Sequence, residues 1–465
     1  MADGSGLAVV VLAAGKGRRM KSTVPKVLND LCGRPLISYV LDAVAPLGGQ
    51  VVVVVAPDSQ DVRSVAGDVL FAEQAEPLGT GHAVTVALRT LDPGFDTILV
   101  LPGDTPLIAS DTLTSLLRVL AKSGAAASML TMEREDPTGY GRVLCVGGEV
   151  RKVVEERDAT EEERAIRQVN ACTYAFERAS LEQALEGLGT DNAQGEYYLT
   201  SVVESLVTGG RAVEAVQCDA EEVLGINDHE QLAGVRAIMQ ARINDALMRA
   251  GVTMVDPATT YVDYSVKVGR DSVLMPSTIL EGEVAVGEGC VVGPFTRVKN
   301  SSIGDGSTVE FSWLDRSEVA DGVTIGPYAK LRPGTRVESG AKIGSFVELK
   351  NTTVGKGSKV PHLSYVGDAT IGEDVNVGAG TITCNYDGAE KHPTVIDDGA
   401  FIGSDTMLIA PVRVGKDAVT GAGSSIYEDV PDGSLGIERS EQKNVPGYGA
   451  KKKKKRGSKS ETSGR

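Results

Sequence analysis

Aromatic residues make up only 4% of this 465-residue chain, and Trp313 is its single tryptophan. A core built around rings is therefore excluded, and aliphatic side chains have to fill it. Six cysteines (Cys32, Cys145, Cys172, Cys218, Cys290, Cys384) are scattered without Cys-x-x-Cys spacing. They exclude a disulfide framework or zinc ribbon and fit reduced thiols in a cytoplasmic protein. The four histidines (His82, His229, His362, His392) form no cluster along the chain, which argues against a zinc enzyme. No apolar run reaches the roughly 18 residues that span a bilayer, so no membrane association is expected. Met1-Ala2-Asp3-Gly4 lacks the basic start of a secretory signal. The net charge of -16 disfavours nucleic acid as a partner. Only the segment 451–465, with its run Lys451 to Lys455, is strongly basic. It reads as a solvated, disordered tail.

Glycine is plentiful, at 55 residues, and so is a period of six. Aliphatic residues recur at Val268, Leu274, Leu280, Val286, Val292 and Val298, and again at Val319, Ile325, Leu331, Val337, Ile343 and Leu349. After one-residue slips they continue through Val354, Val360, Val366, Ile371 and Val377 to Ile402, Leu408 and Val414. A six-residue unit fits a short strand plus a tight turn, and stacked units form a parallel β-helix. The aliphatic residue points into the prism. The glycine that often follows it, as in Ile343-Gly344, is expected to ease a crowded turn. An insertion at about 384–398 interrupts the repeat, and such loops often carry function.

The first half reads differently. Continuous apolar runs at 8–14, 51–56 and 97–101 alternate with helical patterns such as 36–47 and 80–90. That pattern predicts an α/β domain with a mainly parallel sheet, its ligands at the carboxyl ends of the strands. The expected organisation is an α/β domain over 1–227, a connecting helix over 228–250, a β-helix over 251–450 and the tail over 451–465.

Three motifs carry candidate chemistry, the first two at predicted strand ends. Leu12-Ala13-Ala14-Gly15-Lys16-Gly17-Arg18-Arg19-Met20, followed by Pro25-Lys26-Val27-Leu28, offers backbone N–H groups and the cations Arg19 and Lys26 to a phosphate. It is neither a Walker A loop nor a dinucleotide fingerprint. Taken alone, it reads equally well as a glycine turn with solvated basic residues. Gly103-Asp104 places a carboxylate where Mg²⁺ is often held, or simply caps a helix. Leu78-Gly79-Thr80-Gly81-His82-Ala83 could receive a nucleobase or merely open a helix. In the second half, His362 could take a proton from an attacking amine, or be an ordinary loop histidine. Arg332 and Lys350 are candidate phosphate contacts.

The first motif resembles that of sugar-1-phosphate nucleotidylyltransferases. The order of Gln74, Gly79-Thr80, Gly103-Asp104, Gly141-Arg142, Glu155, Asn170, the run Asn192–Thr200 and Asn227 is similar to that in a bifunctional bacterial family. Its members are N-acetylglucosamine-1-phosphate uridylyltransferases and glucosamine-1-phosphate N-acetyltransferases. The resemblance runs from about residue 7 to 440. It implies a Rossmann-like nucleotidyltransferase domain and a left-handed β-helix. It implies that the backbone of Leu12, Ala13, Ala14 and Gly15, with Gln74, Gly79 and Thr80, holds the uridine nucleotide. Arg19 and Lys26 would act on the phosphates, and Asp104 and Asn227 would bind Mg²⁺. Gly141, Glu155 and Asn170 would hold N-acetylglucosamine-1-phosphate. In the β-helix it implies His362 as general base, with Arg332, Lys350, Tyr365 and Asn376 on glucosamine-1-phosphate. Ala379, Asn385, Tyr386, Ser404, Ala422 and Arg439 would contact acetyl-CoA or its sugar partner. UTP, acetyl-CoA and the two sugar phosphates are the implied small-molecule partners, and a homotrimer is the implied assembly. The chain departs from the family pattern at Cys172, where glycine is usual, and at Arg18, Asp191 and Ser201. The rival readings are a monofunctional nucleotidylyltransferase with a regulatory β-helix and a non-catalytic assembly subunit. The presence of His362, Asp104, Lys26 and Asn227 argues against both.

Overall fold

The computed structural model describes residues 6–15 and 17–453. Lys16, the Arg18 side chain and residues 454–465, most of the expected tail, lie outside the described residues. The chain divides into two compact units. One comprises Met1–Ala246 with Val262–Ser265, the other Leu247–Tyr261 with Val266–Arg465.

In the first unit, the strands β1 (Leu7–Leu12), β2 (Gln50–Val55), β3 (Leu70–Glu73), β4 (Thr97–Pro102), β5 (Ala127–Glu133), β6 (Arg142–Val146), β7 (Glu149–Val154), β8 (Gln168–Glu177) and β9 (Val213–Gln217) form one sheet. Its main path runs β9-β5-β8-β4-β1-β2-β3. The neighbours β4, β1, β2 and β3 are parallel, whereas β8 runs antiparallel to both β4 and β5. The sheet is therefore mixed, with a parallel half that holds the glycine-rich loop.

Alternate residues of β1 serve different cores. Ala8 and Val10 pack with Ala83, Val84 and Leu88 of helix Thr80–Thr90. Val9 and Val11 pack with Ile37 and Val40 of helix Leu36–Val44 and with Leu113 and Leu116 of helix Ser110–Ser123. Burial on both faces explains why the strand is apolar without alternation. Each such valine or leucine contributes about 1.5–3 kcal/mol of transfer free energy. The apolar run expected over 8–14 is strand only as far as Leu12, and the Ala13 N–H makes its last bond to the neighbouring strand, on the Val54 carbonyl (2.9 Å).

The helix expected over 228–250 spans His229–Arg249. Beyond it the chain returns to the first unit. The Tyr264 N–H bonds the Cys32 carbonyl (2.9 Å), and the Tyr264 ring meets Tyr39 edge-on at 5.2 Å.

The second unit stacks short parallel strands into three sheets of eleven, ten and nine strands. It is a left-handed parallel β-helix, with three six-residue units per coil. Leu274, Val292, Val309, Ile325, Ile343 and Val360 form one buried column. Leu280, Val298, Leu314, Leu331, Leu349 and Val366 form a second. Where the spacing slips from six to five, a non-glycine residue in the left-handed region makes the corner. Asn300, Arg316, Asn351 and Asp368 are four such residues.

Some glycines after the aliphatic positions do turn the chain, as Gly326 does at φ +110°, but Gly344 and Gly355 serve another purpose. A Cβ on Gly344 would overlap the Pro361 carbonyl of the next coil, and one on Gly355 the Gly372 carbonyl. Neither residue has a positive φ. Coil-to-coil approach, more than turning, fixes glycine there. The expected insertion is a loop between strands Ile382–Cys384 and Thr394–Ile396. Residues 448–453 are helical, so irregular chain does not begin at 451.

Candidate active sites

The parallel half of the first unit brings several sequence-identified residues to one rim. Gly103 N–H bonds the Leu12 carbonyl (2.9 Å), and Gln74 N–H bonds the Val55 carbonyl (2.9 Å). The ends of β4 and β1, and of β3 and β2, are thereby tied in pairs beside residues 13–15. Gly17 adopts φ +53°, and a Cβ there would press on the Lys26 side chain. Lys26 thus reaches the rim because residue 17 has no side chain. Its ammonium pairs with the Asp104 carboxylate and donates to the Asn227 side-chain oxygen (3.3 Å). Arg19 donates to the same oxygen at 2.9 Å. Two cations and two oxygen ligands from four separate segments therefore converge.

Gln74 is buried and donates to the Gly79 carbonyl (3.0 Å), with His82 Nδ1 at 3.1 Å. The Thr80 hydroxyl accepts from Leu199 N–H (3.0 Å), and Gly81 N–H bonds the Tyr197 carbonyl (2.7 Å). Gly79–Gly81 therefore hold the 192–199 segment in place while opening a helix. His82, the last polar residue of the motif read from the sequence, stands against Gln74; sequence reasoning assigned it no role of its own.

Gly141, Glu155 and Asn170 form a neighbouring group. Asn170 N–H bonds the Gly141 carbonyl (2.9 Å). Glu155 accepts from the Thr200 hydroxyl at 3.0 Å. Burial lifts the Glu155 carboxyl above the ordinary range, against the opposing pull of that hydrogen bond. The side-chain oxygen of buried Asn170 accepts from Cys172 N–H at 3.0 Å. Cys172 sits at φ +54°, where an L-residue is strained and glycine is not. Its thiol is solvent-accessible. The protein mass around it, and then the charges of Glu155 and Asp104, push its pKa up to about 12. A neutral thiol therefore stands beside the carboxylates.

In the second unit, His362 ends strand Lys359–His362 and is exposed. Corner hydrogen bonds link successive coils: Leu363 N–H to the Ser345 carbonyl, Gly380 to His362, Asp405 to Ala379 and Gly423 to Ser404. The corner residues Ser345, His362, Ala379, Ser404 and Ala422 consequently climb in one line. Arg439 donates to the Ala422 carbonyl (3.1 Å) at its end. Asn376 lies in register between Lys359 and Phe401.

Across the adjoining face, Asp368 gathers Lys350 (3.3 Å), Asn351 (2.8 Å) and Asn385 (2.5 Å). Amide and ammonium donors hold its carboxyl below the usual range, against partial burial. A Cβ on Gly367 would run into the Tyr365 hydroxyl and the Asn385 amide, so this glycine lets the two side chains meet. Arg332 pairs with Glu348 at 2.9 Å. Tyr386 is exposed in the loop and donates to the Gly388 carbonyl (2.6 Å). The loop is braced by His392 on Asp387 (2.7 Å). It carries Lys391, which sequence reasoning missed, and whose charge is felt at Lys350. That neighbour pushes the Lys391 ammonium down. Two amines beside one carboxylate suit a doubly charged oxyanion. A basic residue inside an insertion was the only available signal.

Among the described residues, no group of three or more His, Cys, Asp or Glu side chains converges as a metal cage. The oxygen pair Asp104 and Asn227 fits Mg²⁺, which takes one or two protein ligands and fills its octahedron with water and substrate phosphates.

A family model described as the MobA-like NTP transferase domain matches residues 9–175. Over 454 residues the chain is 52% identical to the bifunctional protein GlmU of Pelotomaculum thermopropionicum, which covers 97% of this chain and 99% of that protein. It is 50% identical over 438 residues to the bifunctional protein GlmU of Heliobacterium modesticaldum, with coverages of 93% and 96%. The corresponding protein of Carboxydothermus hydrogenoformans is 47% identical over 443 residues, covering 94% and 99%.

Proposed function

The chain belongs to the GlmU family of bifunctional proteins, and from that premise we propose how its two units divide the chemistry. It is a bifunctional enzyme of UDP-N-acetylglucosamine biosynthesis with a nucleotidyltransferase domain, acting on nucleotide and sugar phosphate substrates. In the proposed order, the β-helix acetylates glucosamine-1-phosphate with acetyl-CoA. The first unit then transfers UMP from UTP to N-acetylglucosamine-1-phosphate and releases pyrophosphate.

The convergence of Arg19, Lys26, Asp104 and Asn227 at the strand ends carries the first assignment. Phosphoryl transfer needs positioning and charge neutralisation more than a nucleophilic side chain. Backbone N–H groups of 12–15 and the two cations hold the UTP phosphates. A phosphate oxygen of the acceptor, held by Gly141, Glu155 and Asn170, attacks the α-phosphorus, and pyrophosphate leaves. Asp104 and Asn227 would hold Mg²⁺, which when bound would supply Lewis-acid neutralisation of phosphate charge.

In the β-helix, the amine nitrogen of glucosamine-1-phosphate attacks the thioester carbonyl. His362 takes the amine proton, the C–S bond breaks, and CoA leaves as a thiolate that recovers a proton. Arg332, Lys350, Tyr365 and Asn376 hold the sugar phosphate, while Ala379, Asn385, Tyr386, Ser404, Ala422 and Arg439 line the acetyl-CoA side. The proposed setting is a cytoplasmic homotrimer. No helix among the described residues is long and apolar enough to cross a membrane.

One incubation with glucosamine-1-phosphate, acetyl-CoA, UTP and Mg²⁺ tests the reading. Free CoA thiol should appear with acetyl-CoA, and pyrophosphate only when acetyl-CoA and UTP are both present. No thiol release in this mixture, with pyrophosphate formed once N-acetylglucosamine-1-phosphate is supplied directly, would leave a monofunctional nucleotidylyltransferase.

A further inference from the structure

Arg142 is only 1% exposed and heads, by size, the fully buried side chains among the described residues. Its guanidinium spends its donors on three groups. It bonds the Tyr140 carbonyl, the Arg164 carbonyl (3.3 Å) and the Glu156 carboxylate (2.7 Å). The same carboxylate oxygen of Glu156 accepts from Gly139 N–H at 3.2 Å. The pair therefore clamps the 139–141 loop against the end of strand Glu149–Val154. The backbone of Arg142 lies between two other strands' ends as well, in register with Val154 on one side and Val169 on the other.

Gly141, Glu155 and Asn170 are thus each the next residue in the chain to a member of this network. Burying a guanidinium beside a half-exposed carboxylate is a costly way to gain stability, and apolar residues of similar volume often do as well or better. It does fix geometry, because a planar guanidinium with several partners tolerates little displacement.

We propose that Arg142 and Glu156 are positioning residues that set the shape of the acceptor-sugar pocket without touching the sugar. The inference rests on the assignment of Gly141, Glu155 and Asn170 to that sugar. Glu156→Gln keeps an acceptor for Gly139 N–H and loses the charge; Glu156→Ala loses both. Arg142→Lys can reach one of the three partners at most.

The test is steady-state uridylyl transfer in the full-length protein, with KM measured separately for N-acetylglucosamine-1-phosphate and UTP. The expected result is a graded rise in the KM for the sugar phosphate, slight in Glu156→Gln and about tenfold to a hundredfold in Glu156→Ala and Arg142→Lys. The KM for UTP should stay within about twofold, because the nucleotide contacts lie on other segments. Glu156 has a side chain 30% exposed, so its variants decide the matter should Arg142→Lys fail to fold. An unchanged KM for the sugar phosphate in Glu156→Ala, or equal rises for both substrates, overturns the positioning role. A wild-type protein that uses UTP but ignores N-acetylglucosamine-1-phosphate overturns the sugar assignment itself.

Discussion

At position 104 a single carboxylate faces both a lysine and the proposed metal position. Asp104→Ala is expected to abolish Mg²⁺-dependent uridylyl transfer and to leave acetyl transfer unchanged; pyrophosphate and thiol release on one preparation check this. His362→Ala is the mirror case. Loss of a general base costs about 10²–10⁴ in rate, and the exposed imidazole fills no part of the prism. Acetylation should fall by that factor while uridylyl transfer persists, and survival of acetylation within a few-fold would remove His362 from the mechanism. Glu155 makes a pH prediction. Its folded-state pKa lies above the unfolded one, so between the two the folded state binds more protons, and stability falls as pH rises. Glu155→Gln removes that penalty. Urea midpoints of wild type and variant should diverge in the variant's favour as pH climbs above about 4.3, even though sugar binding is damaged. Parallel midpoints would mean that burial does not penalise this carboxylate.

At the level of single elements, Gly344 separates packing from conformation. Its φ is ordinary, and the obstacle to a side chain is the Pro361 carbonyl of the next coil. Gly344→Ala should therefore force coils apart and destabilise the β-helix by about 1–3 kcal/mol, the usual cost of overpacking. Calorimetry should register it in the β-helix transition, with acetyl transfer lost before uridylyl transfer. The period of six announced these coils because their aliphatic positions have a single environment, the prism interior. The sheet of the first unit was less legible. Strands 7–12, 50–55 and 97–102 stand out since both their faces are apolar. The antiparallel strand Gln168–Glu177 did not, because buried Asn170 and Thr173 and the irregularity between Asn170 and Tyr174 break its pattern. Buried Ser128 and Thr131 obscure its neighbour in the same way. The candidate residues were readable as a family order. Their mutual contacts, such as Lys26 with Asp104 or Lys350 with Asp368, join segments distant in sequence and leave no local signature.

For the whole molecule, the two compact units imply separable activities. The division does not fall at residue 250, since Val262–Ser265 belong with the first unit. There Tyr264 packs on Tyr39 and lies under the Arg34 guanidinium (4.7 Å). A fragment of residues 1–265 is expected to retain uridylyl transfer and lose acetyl transfer. A fragment ending at 250 should do the same with a lower Tm, for want of that aromatic contact. Thermal melting and pyrophosphate assays on both fragments check this, and a well-folded 1–265 fragment without uridylyl transfer would refute the division of labour.

The corner line from His362 through Ala379 and Ser404 to Ala422 works as a ruler. Each coil adds a step of about 4.8 Å, so three steps measure about 14 Å. Under the proposed assignment, the arm of acetyl-CoA is laid along a scale whose divisions cannot be fractional, because every coil must close its hydrogen bonds to the next. Reach can then change only in whole divisions. One coil added between His362 and Ala379 would lengthen the path by a full step with every aliphatic column intact. A coil added before Ser345 would leave the measure as it is.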